Sequence, residues 1–324
     1  MDDSTPRTGG AQYLIALLAA LFTGAAFADQ SIPDQYPGSL LYQKPVEVIP
    51  GVWAAIGATA PADYDNAGHN NNYVFIETGE GVVVVNSSSY LLAEALHEEI
   101  RRVTDKPVTL VINENGQGHA ALGNGYWQEQ GIDTLAHEDA ANAFETNGAG
   151  SLVSLKRAAK ERADGTAVVL PSRTFRDRVS VGSRQRPVEV IDLGHAHSPG
   201  NIVVWLPKDR LIVTGDLAFH ERLLPLMEDT DTRAWLETWQ AFEALEPVYV
   251  IPGHGHPTNV AQVRRYTHDY LVFLRSAIGA LLDDGGDPEE AYKLDQSAWS
   301  HLDTFTELAA RNAGRLFEQM EFED

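Results

Sequence analysis

There is no cysteine among the 324 residues. That absence excludes disulfides, thiolate metal ligands and cysteine nucleophiles together. Any metal would have to be held by nitrogen and oxygen, and the fold has to rest on its core alone. Positive charge is also scarce: 24 Lys and Arg stand against 46 Asp and Glu, a formal net charge of -22. Such a surface repels nucleic acid and anionic membrane, which discounts both as partners. Beyond the N-terminal segment no apolar run is long enough to cross a bilayer. Short repeats and low-complexity tracts are lacking too.

What is present begins with an address. Tyr13-Leu14-Ile15-Ala16-Leu17-Leu18-Ala19-Ala20-Leu21-Phe22 is an apolar core of signal-peptide length, followed by the small-x-small pattern Ala26-Phe27-Ala28. Arg7 is the one basic residue ahead of that core, opposed by Asp2 and Asp3. The expectation is export to the periplasm or medium, with a signal peptide at 1–28 and a single mature domain at 29–324 ending in helices.

Strand and helix signals alternate along the mature chain. Val46–Ile56 alternates in strand fashion, and Tyr73–Ile76 and Val82–Val85 are continuous apolar runs, the mark of strands covered on both faces. Leu91–Thr104 carries apolar residues at helical spacing, and Val108–Ile112 is the next buried strand. Asn124–Gln130 reads as helix and Thr134–Ala136 as a short strand. Ala140–Thr146 and Leu152–Arg162 read as two helices with a flexible joint at Gly148-Ala149-Gly150-Ser151. From residue 167 the chain turns to β, at Ala167–Leu170, Arg178–Val181 and Val188–Asp192. Helical spacing returns at Thr232–Leu245, Val260–Leu282, Pro288–Tyr292 and Leu302–Met320. One large α/β domain with two packed sheets and outer helices fits this order.

Chemistry gathers at strand ends. Ile202–Leu206 and Arg210–Val213 form a hairpin through Pro207-Lys208-Asp209. His197, in Gly194-His195-Ala196-His197-Ser198-Pro199-Gly200-Asn201, precedes the first strand, and Asp216, in Thr214-Gly215-Asp216, follows the second. Antiparallel pairing puts both at one end. Val248–Ile251 then runs into Pro252-Gly253-His254-Gly255-His256, adding another imidazole at a strand end. Imidazole and carboxylate brought together are what a zinc or similar site requires. His195 either supports a ligand residue from behind or is solvent-exposed, and His256 reads as loop surface. His69 either lines a cleft or sits in a surface loop. Glu114 and Glu221 are acid–base candidates that the sequence does not separate from surface carboxylates.

These motifs resemble the metallo-β-lactamase fold superfamily over roughly residues 45–260, within it the exported sulfur-oxidation and quinoprotein-relay metallohydrolases. His197 in His-Ser-Pro-Gly, Asp216 in Thr-Gly-Asp and His254 in Pro-Gly-His-Gly look like three of the family's metal ligands. The resemblance implies an αββα sandwich with the metal site at the strand ends. It also exposes a departure. The family carries His-x-His-x-Asp-His after the strand that here is Val108–Ile112, whereas this chain has Asn115-Gly116-Gln117-Gly118-His119-Ala120. Asn115 and Gln117 stand where two histidine ligands belong, His119 where an aspartate does, and Ala120 where another histidine does. Asn86 replaces an aspartate of the first motif.

Neutral amide oxygens are weak zinc ligands beside imidazole. What remains for metal is His119, His197, Asp216 and His254, with His119, Asp216 and His254 as a two-histidine, one-carboxylate triad. Asp216 and His119 would then be catalytic, and Asn115, Gln117, His220 and His195 would line the pocket. The expected function is an exported hydrolase with one zinc ion, acting on a small ester, thioester or lactam. The alternative is a pseudoenzyme of the same fold that has lost its metal and serves as a binding or accessory protein.

Overall fold

Two sheets lie face to face in the computed structural model, which describes Met1 and residues 36–323. The signal-peptide expectation lies outside the described residues. The first sheet has seven strands in chain order: β1 (Val46–Ile49), β2 (Val52–Ala55), β3 (Tyr73–Glu77), β4 (Val82–Val85), β5 (Val108–Ile112), β6 (Thr134–His137) and β7 (Arg173–Phe175). The second has five: β8 (Arg178–Gly182), β9 (Pro187–Ile191), β10 (Val203–Leu206), β11 (Leu211–Phe219) and β12 (Tyr249–His254), with β12 at one edge beside β11.

The continuous apolar runs explain the layering. Side chains alternate between faces of a strand. In β4, Val83 and Val85 enter the core between the sheets, while Val82 and Val84 face the outer helices. In β10, Val204 and Leu206 enter the same central core, while Val203 and Trp205 face outward. Each of these two strands therefore needs apolar residues at every position. α1 (Tyr90–Val103), α2 (Gly118–Ala121), α3 (Asn124–Glu129) and α4 (Glu138–Ala159) belong to the first half. α5 (Thr232–Ala244), α6 (Val260–Val263), α7 (Asp269–Asp283), α8 (Pro288–Ala291) and α9 (Phe305–Met320) complete the second. Trp127 seals the outer face of the first sheet, and Trp235 and Trp239 that of the second. The result is the αββα sandwich expected from the sequence.

Three local expectations are corrected. The supposed joint at 148–151 lies inside the continuous helix α4. Gly148 costs helix propensity, but it packs against Phe144 and Val168, where a larger side chain would collide. Residues 167–170 are not a strand, because side chains claim their carbonyls: Asn124 Nδ2 donates to Val169 O (3.1 Å) and Gln128 Nε2 to Leu170 O (2.7 Å). The run 260–282 is interrupted by a π-helical turn at Arg264–His268. That turn brings Thr267 Oγ1 to the Phe219 N–H (2.9 Å), closing the end of β11.

His69 is not on a surface loop. It is fully buried, its ring stacks on Tyr73 (4.2 Å between centroids), and its Nδ1 accepts from the Tyr42 N–H at 2.9 Å. Burial drives its pKa down to about 3. A histidine whose folded pKa lies below its unfolded value contributes stability that is complete above the unfolded value and is lost as pH falls through the folded one. The affected window runs from pH 6.5 down to about 3. His69→Gln should therefore flatten the acid side of a stability–pH profile by up to ~1.4 kcal/mol per pH unit, read as the difference between urea titrations of the two proteins. An unchanged slope would contradict a neutral buried His69.

Candidate metal centre

The centre is built around the Asp216 carboxylate, which is buried inside β11 rather than beyond its end. β11 pairs in parallel with β12, and the register slips between Val213 and Gly215 and again before Phe219. Gly215 has φ +51°, a conformation L side chains rarely adopt, and a Cβ there would overlap the Glu114 carboxylate. The Thr-Gly-Asp motif thus makes room for a second acid.

Glu114 follows β5 and is held from both sides. Its N–H donates to Asn86 Oδ1 (3.0 Å), and its carbonyl accepts from the Ile202 N–H (2.8 Å). Its Oε2 accepts from Asn201 Nδ2 (2.9 Å) and from the Asp216 N–H (3.3 Å). Its Oε1 faces His119 Nε2 at 3.2 Å. His119, on α2, also lies 3.5 Å from Asp216 Oδ2. One ligand atom each from Glu114, His119 and Asp216 can be chosen so that all lie within 4.8 Å of one another, the one such group of three found among the described residues.

The other two imidazoles meet Asp216 separately. His197 Nε2 lies 3.7 Å from Oδ2, and His254 Nε2 lies 3.2 Å from Oδ1. The His119 and His254 rings are 5.9 Å apart, edge to face. His119 and His254 thus approach different oxygens of one carboxylate, and among the described residues the group of three that meets the 4.8 Å criterion has Glu114 where the sequence-based triad has His254.

The donors suit a divalent ion. His254 Nδ1 lies 2.5 Å from the Asn70 carbonyl, which can only accept, and 3.2 Å from Arg222 Nη1, which can only donate; the shorter contact favours the proton on Nδ1. Nε2 then presents a lone pair to Asp216 Oδ1, and that oxygen has no hydrogen-bond partner. Two bare acceptors facing each other call for a cation. A carbonyl that fixes a ligand histidine's tautomer is the usual support of a metal site. Donors bound to one ion at about 2.0–2.2 Å sit roughly 3.0–3.5 Å apart, which the His119 contacts to Glu114 and Asp216 match.

Electrostatics puts Asp216, His254 and His197 in the ionisation states a metal needs, while His119 and Glu114 are both shifted toward their protonated forms, and an ion would have to displace those protons. Burial works to raise the Asp216 pKa, but His119, His254 and His197 hold it well below the usual carboxylate range. Burial, then the Arg222 charge, drives His254 down to about 4, and burial also lowers His197. Both are neutral ligands at neutral pH. Burial lowers His119, yet the charges of Asp216 and Glu114 outweigh it, so its pKa is raised. Burial and the neighbouring Asp216 charge push Glu114 up to about 7. Burial brings Arg222 down to about 10, so it remains the permanent cation beneath the site, 3.2 Å from His254 Nδ1.

A cavity of about 770 Å³ opens on this centre, with Gln117, His119, Ser88, Ser198 and the α4 residues Asn147 and Ser151 among its lining. Of the other expected pocket residues, Asn115 is buried among the donors, its Nδ2 3.4 Å from Asp216 Oδ2. His220 is turned instead to the His256 carbonyl (2.9 Å) and stacks on Tyr266, outside the cavity lining. His195 buttresses the loop before α5, through the Asp229 carbonyl (3.0 Å) and the Asp231 N–H (3.4 Å), and likewise does not line the cavity. His256 pairs with Glu221 (2.8 Å) rather than lying free on a loop. Glu114 is the residue that sequence reasoning left undecided. Its one signal was its place between the β5 run and the altered motif.

Comparisons with known proteins agree with this fold. The family model for the metallo-beta-lactamase superfamily matches residues 67–254. A metallo-beta-lactamase type 2 from Bacteroides fragilis is 23% identical over 232 residues, covering 68% of this chain and 86% of that protein. Among solved structures, the stereoselective inverting sec-alkylsulfatase Pisa1 from Pseudomonas sp. aligns with a TM-score of 0.67 at 16% identity, over 86% of this chain and 50% of that one. The metallo-beta-lactamase FIM-1 from Pseudomonas aeruginosa, in a mono-zinc form, gives 0.57 at 18% identity, over 74% and 99%.

Arg222 offers a test of this charge balance. Arg222→Met should cost about 3–5 kcal/mol, the usual penalty for leaving buried charges uncompensated, as measured by urea unfolding of the metal-free protein. A loss below ~1 kcal/mol, typical of a surface pair, would show that the guanidinium does not balance the buried acids.

Proposed function

The chain belongs to the metallo-beta-lactamase superfamily, and from that premise we propose that it is a metal-dependent hydrolase with a remodelled, mononuclear centre. Its substrate class is a small ester, thioester or lactam. The observation that carries the reading is the Asp216 carboxylate, ionised and flanked by neutral His254 and by His119 on the wall of a 770 Å³ cavity. When bound, the ion supplies Lewis acidity toward a carbonyl or ester oxygen and activates water near neutral pH. Zinc is the expected ion. The residues do the rest. Asp216 would hold the ion, while Asn70 orients His254 through Nδ1 and Asn115 Nδ2 braces Asp216 Oδ2. Ser151 and Asn147 offer hydrogen bonds to a polar substrate in the cavity. With the N-terminal apolar segment and the absence of cysteine, the reading includes export to the periplasm or medium.

One observation favours the pseudoenzyme reading: the Asn115 amide N–H already points at Asp216 Oδ2, where a family histidine would leave that oxygen to metal. Counting metal separates the two. Protein from a zinc-supplemented culture should carry close to one ion per chain by elemental mass spectrometry, and Asp216→Ala should abolish it. Metal far below stoichiometry in the parent protein would decide for the pseudoenzyme.

The cavity also constrains the substrate's charge. No Lys or Arg is among its described lining residues, while Glu228 and Asp229 are. Neutral or cationic nitrophenyl and choline-type esters should therefore be turned over with higher kcat/KM than carboxylated analogues, and the gap should narrow in an Asp229→Asn, Glu228→Gln double variant. Equal rates for anionic and cationic esters would contradict this.

A further inference from the structure

We propose that Glu114 is itself a metal ligand, and that the centre has moved from the family's histidine positions onto Glu114, His119 and Asp216. This inference rests on the metal-dependent reading above and specifies its ligand set. Two carboxylates and one imidazole then replace the imidazole-rich first site that the resemblance implies.

Asn115 is the first reason. Its Oδ1 accepts from the Gln117 N–H (2.9 Å), and a backbone N–H can only donate, so the amide oxygen is turned away from Asp216. What Asn115 presents to the donors is its NH2 group, which cannot ligate. Gln117 lines the cavity wall. Neither amide substitutes for the missing imidazoles, and a replacement ligand has to come from elsewhere.

Glu114 comes into place with the preparation a ligand needs. It is 1% exposed, and both its N–H and its carbonyl are bonded to neighbouring segments. Its Oε2 is occupied by Asn201 Nδ2 and the Asp216 N–H, which leaves Oε1 directed toward His119. Such support by hydrogen bonds to the non-ligating oxygen is typical of metal-binding carboxylates. Gly215, in its left-handed conformation, keeps the space Glu114 fills. Two buried acids held with His119 inside 4.8 Å repel one another unless positive charge sits among them. A divalent ion supplies more of it than one imidazole can.

The donor set also bears on which ion binds. Carboxylates favour harder ions such as Mn²⁺, whereas imidazole suits zinc and its neighbours. A centre with two acids and one imidazole should accept Mn²⁺ as well as Zn²⁺, and Glu114 should matter more to the former.

Equilibrium dialysis of the full chain with Mn²⁺ or Zn²⁺, each counted by elemental mass spectrometry, tests this. In Glu114→Gln, Kd should rise at least about tenfold, and more for Mn²⁺ than for Zn²⁺. The metal-free variant should melt no lower than the parent, since one of two mutually repelling acids is gone. Asp216→Asn is the control that loses metal in either arrangement. If Glu114→Gln binds both ions as the parent does while Asp216→Asn does not, Glu114 is a structural acid, and the hydrolase reading survives without it. If the parent binds neither ion, both readings fall. Should Glu114→Gln not fold, Glu114→Asp carries the test. It keeps the charge but draws the carboxylate back by one bond length, about 1.5 Å. Weakened binding then supports a ligand, and parental binding overturns it.

Discussion

The structure depends on one buried carboxylate. Asp216 lies within a nine-residue strand whose every position is buried, and an ionised acid there has to be matched by charge and hydrogen bonds. Three imidazoles surround it, Arg222 lies behind one of them, and Asn115 braces one oxygen. The backbone conforms to the same need. The register of β11 against β12 slips at Gly215, and Gly253 on β12 leaves room for Asp216 Oδ1, where any Cβ would intrude. Segments distant in sequence tie into the arrangement: Asn70 fixes the His254 tautomer, and residue 303 bridges to Arg222 from the region just before the last helix.

The sandwich makes such a site affordable. Strands apolar at every position bury both faces of each sheet, so the hydrophobic core is large enough to tolerate a polar, charged centre at its rim. The centre sits where β5 and β12 end, against the bend that Gly215 makes within β11. There backbone N–H and carbonyl groups leave the ladder and become free to hold side chains, as the Ile202 N–H and Glu114 carbonyl do. α4 then closes one wall of the cavity with small residues, among them Ala143, Gly150 and Ser151. The two glycines that read as a flexible joint are thus part of a rigid helix. Gly148 packs tightly against Phe144 and Val168, and Gly150 leaves the cavity open.

On the ligand set proposed for this centre, donors have been exchanged rather than simply removed. Histidines are missing from positions 115, 117 and 120, while acids at 114 and 216 and a histidine at 119 face one another. Arg222 and the protonation of His119 and Glu114 share the balancing of the remaining charge. The cavity's acidic rim agrees with the acidity of the whole chain, whose net charge is -22.

Much of this was legible in the residues. Runs such as Val82–Val85 announce doubly covered strands, because a strand with one wet face must alternate. His197, Asp216 and His254 reveal themselves by standing beside strand ends, where any two-layer fold brings side chains together. Local pattern failed where tertiary contacts override propensity. It placed a joint at Gly148 and a strand at 167–170 and left His69 between a cleft and a surface loop, while the fold made a continuous helix, a stretch bonded by Asn124 and Gln128, and a buried ring on Tyr73. Glu114 marks the same boundary in the site itself. By sequence it is one acid among 46 Asp and Glu, since an acidic side chain has no local signature that separates solvent from metal. Only the packing of β5 against the Gly215 bend, with Asn201 on its other oxygen, turns it toward His119 and Asp216. Residue types and their spacing determined that imidazoles and carboxylates gather at one end of the sandwich; long-range packing decided which of their atoms face one another.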